Sequence, residues 1–191
     1  ILHDNIDDGN YGIEALGKGN NSQIIVNHSG KIQGGSFGIV VWDNAGANQI
    51  GSTSEINIGS AGSIDAKYAI VSEMNQSNTV NIAHGAHVNG KEKTLWLRSN
   101  AGESPQDVVN NAGRLTADND LIIDAKLLNS SSSLTVNNQA SVQINGVFLA
   151  KDAQITVNNR GDWNIQDWAK ETANAPVVVD LGSHADNLIS N

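Results

Sequence analysis

The chain has 191 residues, which is enough for one domain with a sizeable core. Twenty acidic residues against eleven basic ones give a formal charge of −9, which argues against nucleic acid, anionic membranes and sulfated glycans as main partners. The absence of cysteine excludes disulfides and cysteine metal sites. Because 39% of the residues are apolar while Gly and Asn are abundant, we expect a narrow core and many tight turns.

The N-terminal segment carries no targeting signal that we can identify. Residues 1–8 have no basic region followed by a long apolar stretch, and no apolar run approaches the roughly 20 residues of a membrane span. The sequence begins and ends within repeat-like segments, so we expect it to be part of a longer protein. Residues 4–10 (DNIDDGN) do not match the spacing of a calcium loop, which favours a solvated acidic turn over a calcium site.

A polar turn motif recurs six times along the chain. It consists of an apolar residue, Asn or a small polar residue, a short polar pair, Gly, one polar residue and a second apolar residue. The copies are IVNHSGKI (25–32), INIGSAGSI (56–64), VNIAHGAHV (80–88), VNNAGRL (109–115), VNNQASV (136–142) and VNNRGDW (157–163). Their turn residues follow one another at intervals of 21 to 32 residues, with Ala140 replacing Gly in the fifth copy. Such a period is typical of a solenoid.

A short apolar run follows each of the first five polar turns, and one further run precedes the first turn. The runs are YGIEAL (11–16), FGIVVW (37–42), YAIVS (68–72), KTLWL (93–97), LII (121–123) and VFLA (147–150). Their β-branched residues and short length predict strands, and strands of equal rank in successive repeats run in the same direction. We therefore predict an all-β fold, a parallel β-helix or β-solenoid of about six coils, over residues 1–165. Residues 166–191 are expected to form a polar loop or short helix that ends at Pro176, followed by a further strand at 177–182.

Alignment of the apolar runs predicts which side chains share a face. The inward columns are Ile13, Ile39, Ile70 and Leu95, and next to them Ala15, Val41, Ser72 and Leu97. The outward columns are Glu14, Val40, Val71 and Trp96, and next to them Leu16, Trp42, Glu73 and Arg98. We expect Trp42, Val40, Val71 and Trp96 to form one exposed apolar patch, flanked by Glu73 and Arg98, and such patches usually bind a partner. Alternatively, the insert at 43–54 covers these side chains, or a slip of the alternation by one residue buries them.

Asparagine recurs at equivalent positions of the turn motifs. These residues are Asn27, Asn81, Asn110, Asn137 and Asn158. Because their side chains would stack from coil to coil, the pattern predicts a ladder of amide hydrogen bonds with a structural role. Two inserts, at 43–54 and 99–107, lie at coil turns, where solenoids commonly carry variable function.

The coils VNHSGKIQGGSFGIVV and INIGSAGSIDAKYAIVS resemble passenger-domain repeats of Gram-negative autotransporter adhesins, in which N-x-x-G-x-I-x-G-x-x-x-G-I coils recur. The stretch VNNRGDWNIQDWAKETANAPVVVDL is similar to the NN-x-G-x-W-x-L passage near the end of such passengers, with Ile165 in place of Leu. The resemblance implies a right-handed parallel β-helix, export through an outer-membrane β-barrel that this sequence lacks, and a surface adhesive role. No individual binding residue is transferred, because the family shares its scaffold and varies its surface.

The sequence offers no convincing catalytic or metal site. Seven of the carboxylates in the coils are scattered rather than paired as a glycosidase would need, and His84 and His87 flank a turn glycine with no third ligand in register. The Gly161-Asp162-Trp163 segment fails the G-D-S-G pattern of a serine-protease passenger at the serine. We therefore expect no enzymatic activity, no cofactor and no metal.

The expected function is adhesion at the bacterial cell surface. In the leading hypothesis, copies on neighbouring cells associate through the Asn-rich edge and the patch around Trp42 and Trp96, which gives aggregation and biofilm. In the alternative, the same face binds a host glycan or matrix protein, with the two Trp rings as anchors. A polysaccharide-degrading enzyme is a third alternative, which a carboxylate cluster in a cleft would favour.

Overall fold

The computed structural model describes residues 11–45, 49–99, 102–118, 121–127, 129–139, 143–145, 147–150, 153–164, 179–180, 184 and 186–190. Every strand pairing within this part is parallel, and the described residues contain no helix. The strands form two sheets that stack coil upon coil. The prediction of an all-β parallel β-solenoid is therefore confirmed.

Sheet 1 has eleven strands and contains the apolar runs. Its strands are β1 (Tyr11–Gly17), β3 (Lys31–Gln33), β4 (Phe37–Asp43), β6 (Ser63–Glu73), β8 (His87–Ser99), β10 (Arg114–Ala117), β11 (Leu121–Leu127), β13 (Gln143–Asn145), β14 (Val147–Ala150), β16 (Asp162–Asn164) and β17 (Val179–Asp180). The long strands β6 and β8 each span a length that two strands occupy in the neighbouring coils, since β3 and β4 both pair with β6, and β10 and β11 both pair with β8. Sheet 1 therefore receives either one long strand or two shorter strands from a coil.

Sheet 2 has seven strands. Each polar turn motif begins within one of these strands. The strands of sheet 2 are β2 (Gln23–His28), β5 (Thr53–Ile58), β7 (Ser77–Ile82), β9 (Gln106–Asn111), β12 (Ser133–Asn138), β15 (Gln154–Asn159) and β18 (Leu188–Ser190). The seven stacked strands differ slightly from the about six coils expected. In the turn that follows β7, Gly85 has a φ of 90°, a conformation that favours glycine.

The main core is a continuous apolar stripe between the two sheets. From sheet 2 it receives a column of buried aliphatic residues at one register position of the strands from β2 to β15, and from sheet 1 it receives buried aliphatic residues such as Ile39, Ile70 and Leu95. The sheet 2 column is Val26, Ile56, Val80, Val109, Val136 and Val157. This stripe lets a chain of low apolar content fold, because each coil buries its side chains against the coils above and below. The predicted loop or helix at 166–175 lies outside the described residues, and β17 falls within the strand predicted at 177–182.

Candidate interaction surfaces

The predicted columns of sheet 1 match the observed register. Val40 pairs with Val71, which pairs with Trp96, and in the next column Trp42 pairs with Glu73, which pairs with Arg98. The alternation therefore does not slip over residues 39–42, 70–73 and 95–98, and the one register shift between β6 and β8 lies before this part, between Ala66 and Tyr68. All six predicted site residues lie side by side on one part of the sheet.

The exposure predicted for this patch is wrong for three of its four apolar members. Val40 is 1%, Trp42 7% and Val71 2% exposed, and Trp96 is only half-buried. They belong to a second apolar cluster, separate from the main core, that also contains Phe37. The partly buried hydrophobic residues packed against this cluster are Tyr11, Leu16, Tyr68 and Trp96, and no hydrophobic residue from the described part of the insert, 43–45 and 49–54, is among them. Neighbouring side chains on the sheet itself thus cover the predicted patch.

Four aromatic rings stack along the solenoid axis in this cluster. Tyr11, Phe37, Tyr68 and Trp96 follow one another with ring centroids 5.2 Å apart at each step. The planes tilt progressively, from 16° between the first pair to 41° between Tyr68 and Trp96. Such stacking stabilises neighbouring coils through ring faces. The rings present edges, rather than faces, to a ligand approaching from the side.

Charged side chains surround the Trp96 ring. Lys93 Nζ lies 4.0 Å and the Arg98 guanidinium carbon 4.8 Å from the ring centroid, which is cation–π geometry. Lys93 also forms an ion pair with Asp124 at 2.5 Å, and Arg98 one with Glu73 at 3.4 Å. The Trp96 faces are therefore engaged by Tyr68 and the two cations.

The outward side of sheet 2 carries a continuous asparagine ladder. Five hydrogen bonds of 2.8 to 3.0 Å join six residues, and in every one the amide nitrogen donates to the side-chain oxygen of the preceding coil. The members are Asn27, Asn57, Asn81, Asn110, Asn137 and Asn158. The predicted ladder of five residues is therefore present, with Asn57 as a sixth member. The motif INIGSAGSI gave the signal, because its second residue is also Asn.

The columns beside this ladder consist of polar or β-branched residues, nearly all of them uncharged. Each strand from β2 to β15 presents three outward positions, and Glu55 is the one charged residue among all of them. The central column runs through Ile25, Glu55, Thr79, Val108, Thr135 and Thr156. We call this outward side of sheet 2 the ladder face. A protein with a net charge of −9 thus has one long side almost without charge.

A buried polar column lies on the inner side of sheet 2. Ser54, Asn78 and Asp107 occupy one register position in β5, β7 and β9, where the adjacent coils place aliphatic residues. Ser54 Oγ donates to Asn78 Oδ1 at 2.6 Å, and the Asn78 backbone N–H donates to Asp107 Oδ1 at 2.8 Å. Burial raises the pKa of Asp107 to about 7, which the single backbone hydrogen bond opposes. Sequence reasoning missed this column.

Groups that could perform metal chemistry are dispersed in the described part of the chain. No cluster of three or more His, Cys, Asp or Glu side chains there could hold a metal ion. His84 is exposed, whereas His87 Nε2 lies 2.9 Å from Thr116 Oγ1, and burial lowers the pKa of His87. Among the described residues, there is no helix long and apolar enough to span a membrane.

Comparisons with known proteins give no match between this chain and a family model, a curated protein or a solved structure.

Proposed function

We propose that this chain is a segment of a bacterial surface adhesin, of the passenger kind that its repeats resemble, and that it associates with copies of itself on neighbouring cells. The observation that supports this proposal best is the ladder face. It runs through six consecutive coils, it offers hydrogen-bonding groups at every coil, and it carries one charge. The proposed role is binding rather than catalysis.

The electrostatics favour this face as the contact between two copies. Two chains of charge −9 repel one another, and the repulsion is smallest where charged groups are fewest. Apart from Asn57, which also donates to Glu55, each ladder amide uses at most one N–H for its neighbour and retains a second. A second ladder face presents the same donors and acceptors, so two copies are complementary to each other.

The affinity between two single segments is expected to be weak, because exposed hydrogen bonds replace bonds to water and contribute little each. A cell surface that displays many copies converts weak contacts into stable adhesion through multivalency. Aggregation and biofilm formation would follow. The proposed location is the bacterial cell surface, with the longer protein anchored by an outer-membrane β-barrel.

The alternative, binding of a host glycan or matrix protein through Trp42 and Trp96, is less well supported. Trp42 is buried and its Nε1–H donates to Glu14 at 3.2 Å, while the faces of Trp96 contact Tyr68, Lys93 and Arg98. A sugar that stacked on Trp96 would first have to displace a cation from the ring. The side chains of Trp42 and Trp96 therefore make contacts within the solenoid in the conformation observed.

Clumping of beads coated with the purified chain tests the proposal, since beads restore multivalency. The test variant carries Thr79→Glu and Thr135→Glu, which place two charges in the centre of the ladder face. The control variant carries Gln33→Glu and Ser60→Glu, which add the same charge at exposed positions off this face. Circular dichroism verifies that all proteins are folded.

We expect wild-type and control beads to clump and the ladder-face variant to remain dispersed. A third variant, Trp96→Ala, should still clump once its folding has been verified, since Trp96 lies on the other sheet. Clumping by the ladder-face variant at the wild-type level would refute the assignment of the contact to this face. No clumping of wild-type beads would refute self-association itself.

A further inference from the structure

A cleft of about 750 Å³ opens at the corner where the chain passes from sheet 1 into sheet 2. Its walls come from the connections between β4 and β5 and between β8 and β9, and its floor from the connection between β6 and β7. The described residues of the two walls belong to the two inserts found in the sequence, at 43–54 and 99–107.

The cleft results from unequal lengths of three successive connections. The first comprises nine residues, 44–52, the second three, 74–76, and the third six, 100–105. The two long connections belong to coils that lie two strand spacings, or roughly 10 Å, apart from centre to centre, and the short connection leaves the position between them open. The alternation of long and short connections therefore forms a cleft on an otherwise regular solenoid. The volume of this cleft lies within the usual range of ligand sites.

Hydrogen bonds fix both walls to the body of the solenoid. In the first wall, the Asp43 carboxylate accepts from the backbone N–H of Ser52, from Ser52 Oγ at 3.0 Å and from the Gly19 N–H at 3.1 Å, which closes the base of the insert. In the second wall, the side-chain amide of Asn75 lies 2.7 Å from Glu103 Oε1 and 3.2 Å from Oε2, and it donates to this carboxylate when the amide nitrogen is assigned to the atom that faces it. The cleft is thus formed before any ligand arrives, which reduces the entropic cost of binding.

The lining is polar and almost uncharged. Six of its ten residues carry an amide or hydroxyl side chain: Gln49, Asn75, Gln76, Ser77, Ser104 and Gln106. The others are two glycines, Ala45 and the one charged residue, Glu103.

This lining selects one class of ligand. It contains no basic residue to balance a phosphate, sulfate or carboxylate, and the one carboxylate would repel such groups. Ala45 is the one apolar side chain among the described lining residues, so an apolar ligand would gain few side-chain contacts for the water that it loses. A divalent cation needs more carboxylate oxygens than Glu103 provides. Amides and hydroxyls, which both donate and accept, match the hydroxyl groups of sugars.

We propose that this cleft binds a neutral oligosaccharide, with Gln76 on the floor and Ser104 at the second wall as principal hydrogen-bonding residues. The site is independent of self-association, because the cleft and the ladder face use different side chains, apart from Ser77 and Gln106 at the shared border. Carbohydrate binding and clumping can therefore be lost separately.

A printed array of neutral and acidic oligosaccharides tests the proposal, followed by titration calorimetry with the neutral sugar that binds best. The test variant carries Gln76→Ala and Ser104→Ala, and the matched control carries Gln33→Ala and Ser60→Ala at exposed positions outside the cleft. We expect the wild type and the control to bind one or more neutral oligosaccharides with equal affinity. The cleft variant should bind at least about tenfold more weakly, the effect of two lost hydrogen bonds.

Three results would overturn the proposal: no binding to any neutral oligosaccharide, a preference for acidic ones, or equal affinity of the cleft variant and the wild type. Bead clumping by the cleft variant provides the separation from self-association. If clumping persists while sugar binding is lost, the two surfaces act independently.

Discussion

Replacement of Asp107 by Asn should change how the stability of the solenoid depends on pH. Asp107 is 4% exposed and accepts one backbone hydrogen bond, from Asn78. The pKa of its carboxyl rises from an ordinary value of 3.8 to about 7 because burial disfavours the charged form. Asparagine has the same shape, can still accept from the Asn78 N–H and never ionises. The substitution therefore removes the charge while preserving the packing.

The sign of the effect follows from proton linkage. Between pH 4 and 7 the folded chain holds a proton on Asp107 that the unfolded chain has released, so the free energy of unfolding decreases as pH rises through this window. About three pKa units at 1.36 kcal/mol each give a loss of roughly 4 kcal/mol at pH 8 relative to pH 3. The Asp107→Asn variant avoids this loss but leaves part of the new amide without a partner, at a cost of about 1–3 kcal/mol. The variant should be the more stable protein at pH 8, by about 1–3 kcal/mol.

Urea unfolding followed by circular dichroism at half-unit steps from pH 4 to 8 measures this difference. Subtraction of the variant from the wild type cancels the other titrating groups. Asp118→Asn, which removes one exposed carboxylate, is the control for the loss of a surface charge. If Asp107→Asn had the same pH dependence as the wild type, or were less stable at pH 8, the assignment of the pH effect to this carboxyl would be refuted.

Two further substitutions probe packing and the ladder. Asn110→Ala removes the hydrogen bonds to Asn81 and from Asn137 and should lower the free energy of unfolding by about 1–2 kcal/mol, measured by urea unfolding; a change under about 0.3 kcal/mol would contradict a stabilising ladder. Gly38→Ala places a Cβ against the Ala69 carbonyl oxygen of the next coil and should destabilise by about 1–3 kcal/mol or more, whereas Gly30→Ala, with its nearest contact at 3.9 Å, should be tolerated. If the two glycine variants had equal free energies of unfolding, the close contact between Gly38 and the next coil would not limit the size of the residue at position 38.

The register of the coils could be predicted from the sequence, because register depends on local alternation and on the position of turn glycines. The Ile39, Ile70 and Leu95 column is an example, since each residue occupies the same place in a similar apolar run. Asn57 escaped the predicted ladder although its motif contained the signal. Both features are properties of aligned repeats.

Exposure could not be predicted from alternation, because it depends on what neighbouring coils place alongside a residue. The pairing of β4 with its neighbouring strands in sheet 1 skips Gly38, where the close approach of the Ala69 carbonyl leaves no room for a side chain. Phe37, just before it, packs in the second cluster together with Val40 and Trp42 rather than in the main core. The signal was present, since three of the apolar runs begin with an aromatic residue, but the burial of Trp42 required the stacked rings in three dimensions.

The buried polar column and the cleft were beyond sequence reasoning for a related reason. The segment 99–107 was interpreted as an insert, whereas β9 already begins at Gln106 and directs Asp107 inward. A one-residue change in where a strand begins exchanges the inward and outward sides. The inserts themselves were found, but the recess between them arises from a comparison of three connections.

Because the asparagine column of the ladder face repeats in six consecutive coils, this column would not define a unique alignment in the proposed contact between two copies. A shift of one copy by one strand spacing, about 4.8 Å, brings amides opposite amides again. Each such shift removes only the contacts of the coil that loses its counterpart. Two cells pulled apart along the solenoid axis would therefore pass through a series of partly overlapped states, and the load at each step would be that of a few coils. Adhesion of this kind resists shear by gradual sliding and re-forms when the force is released.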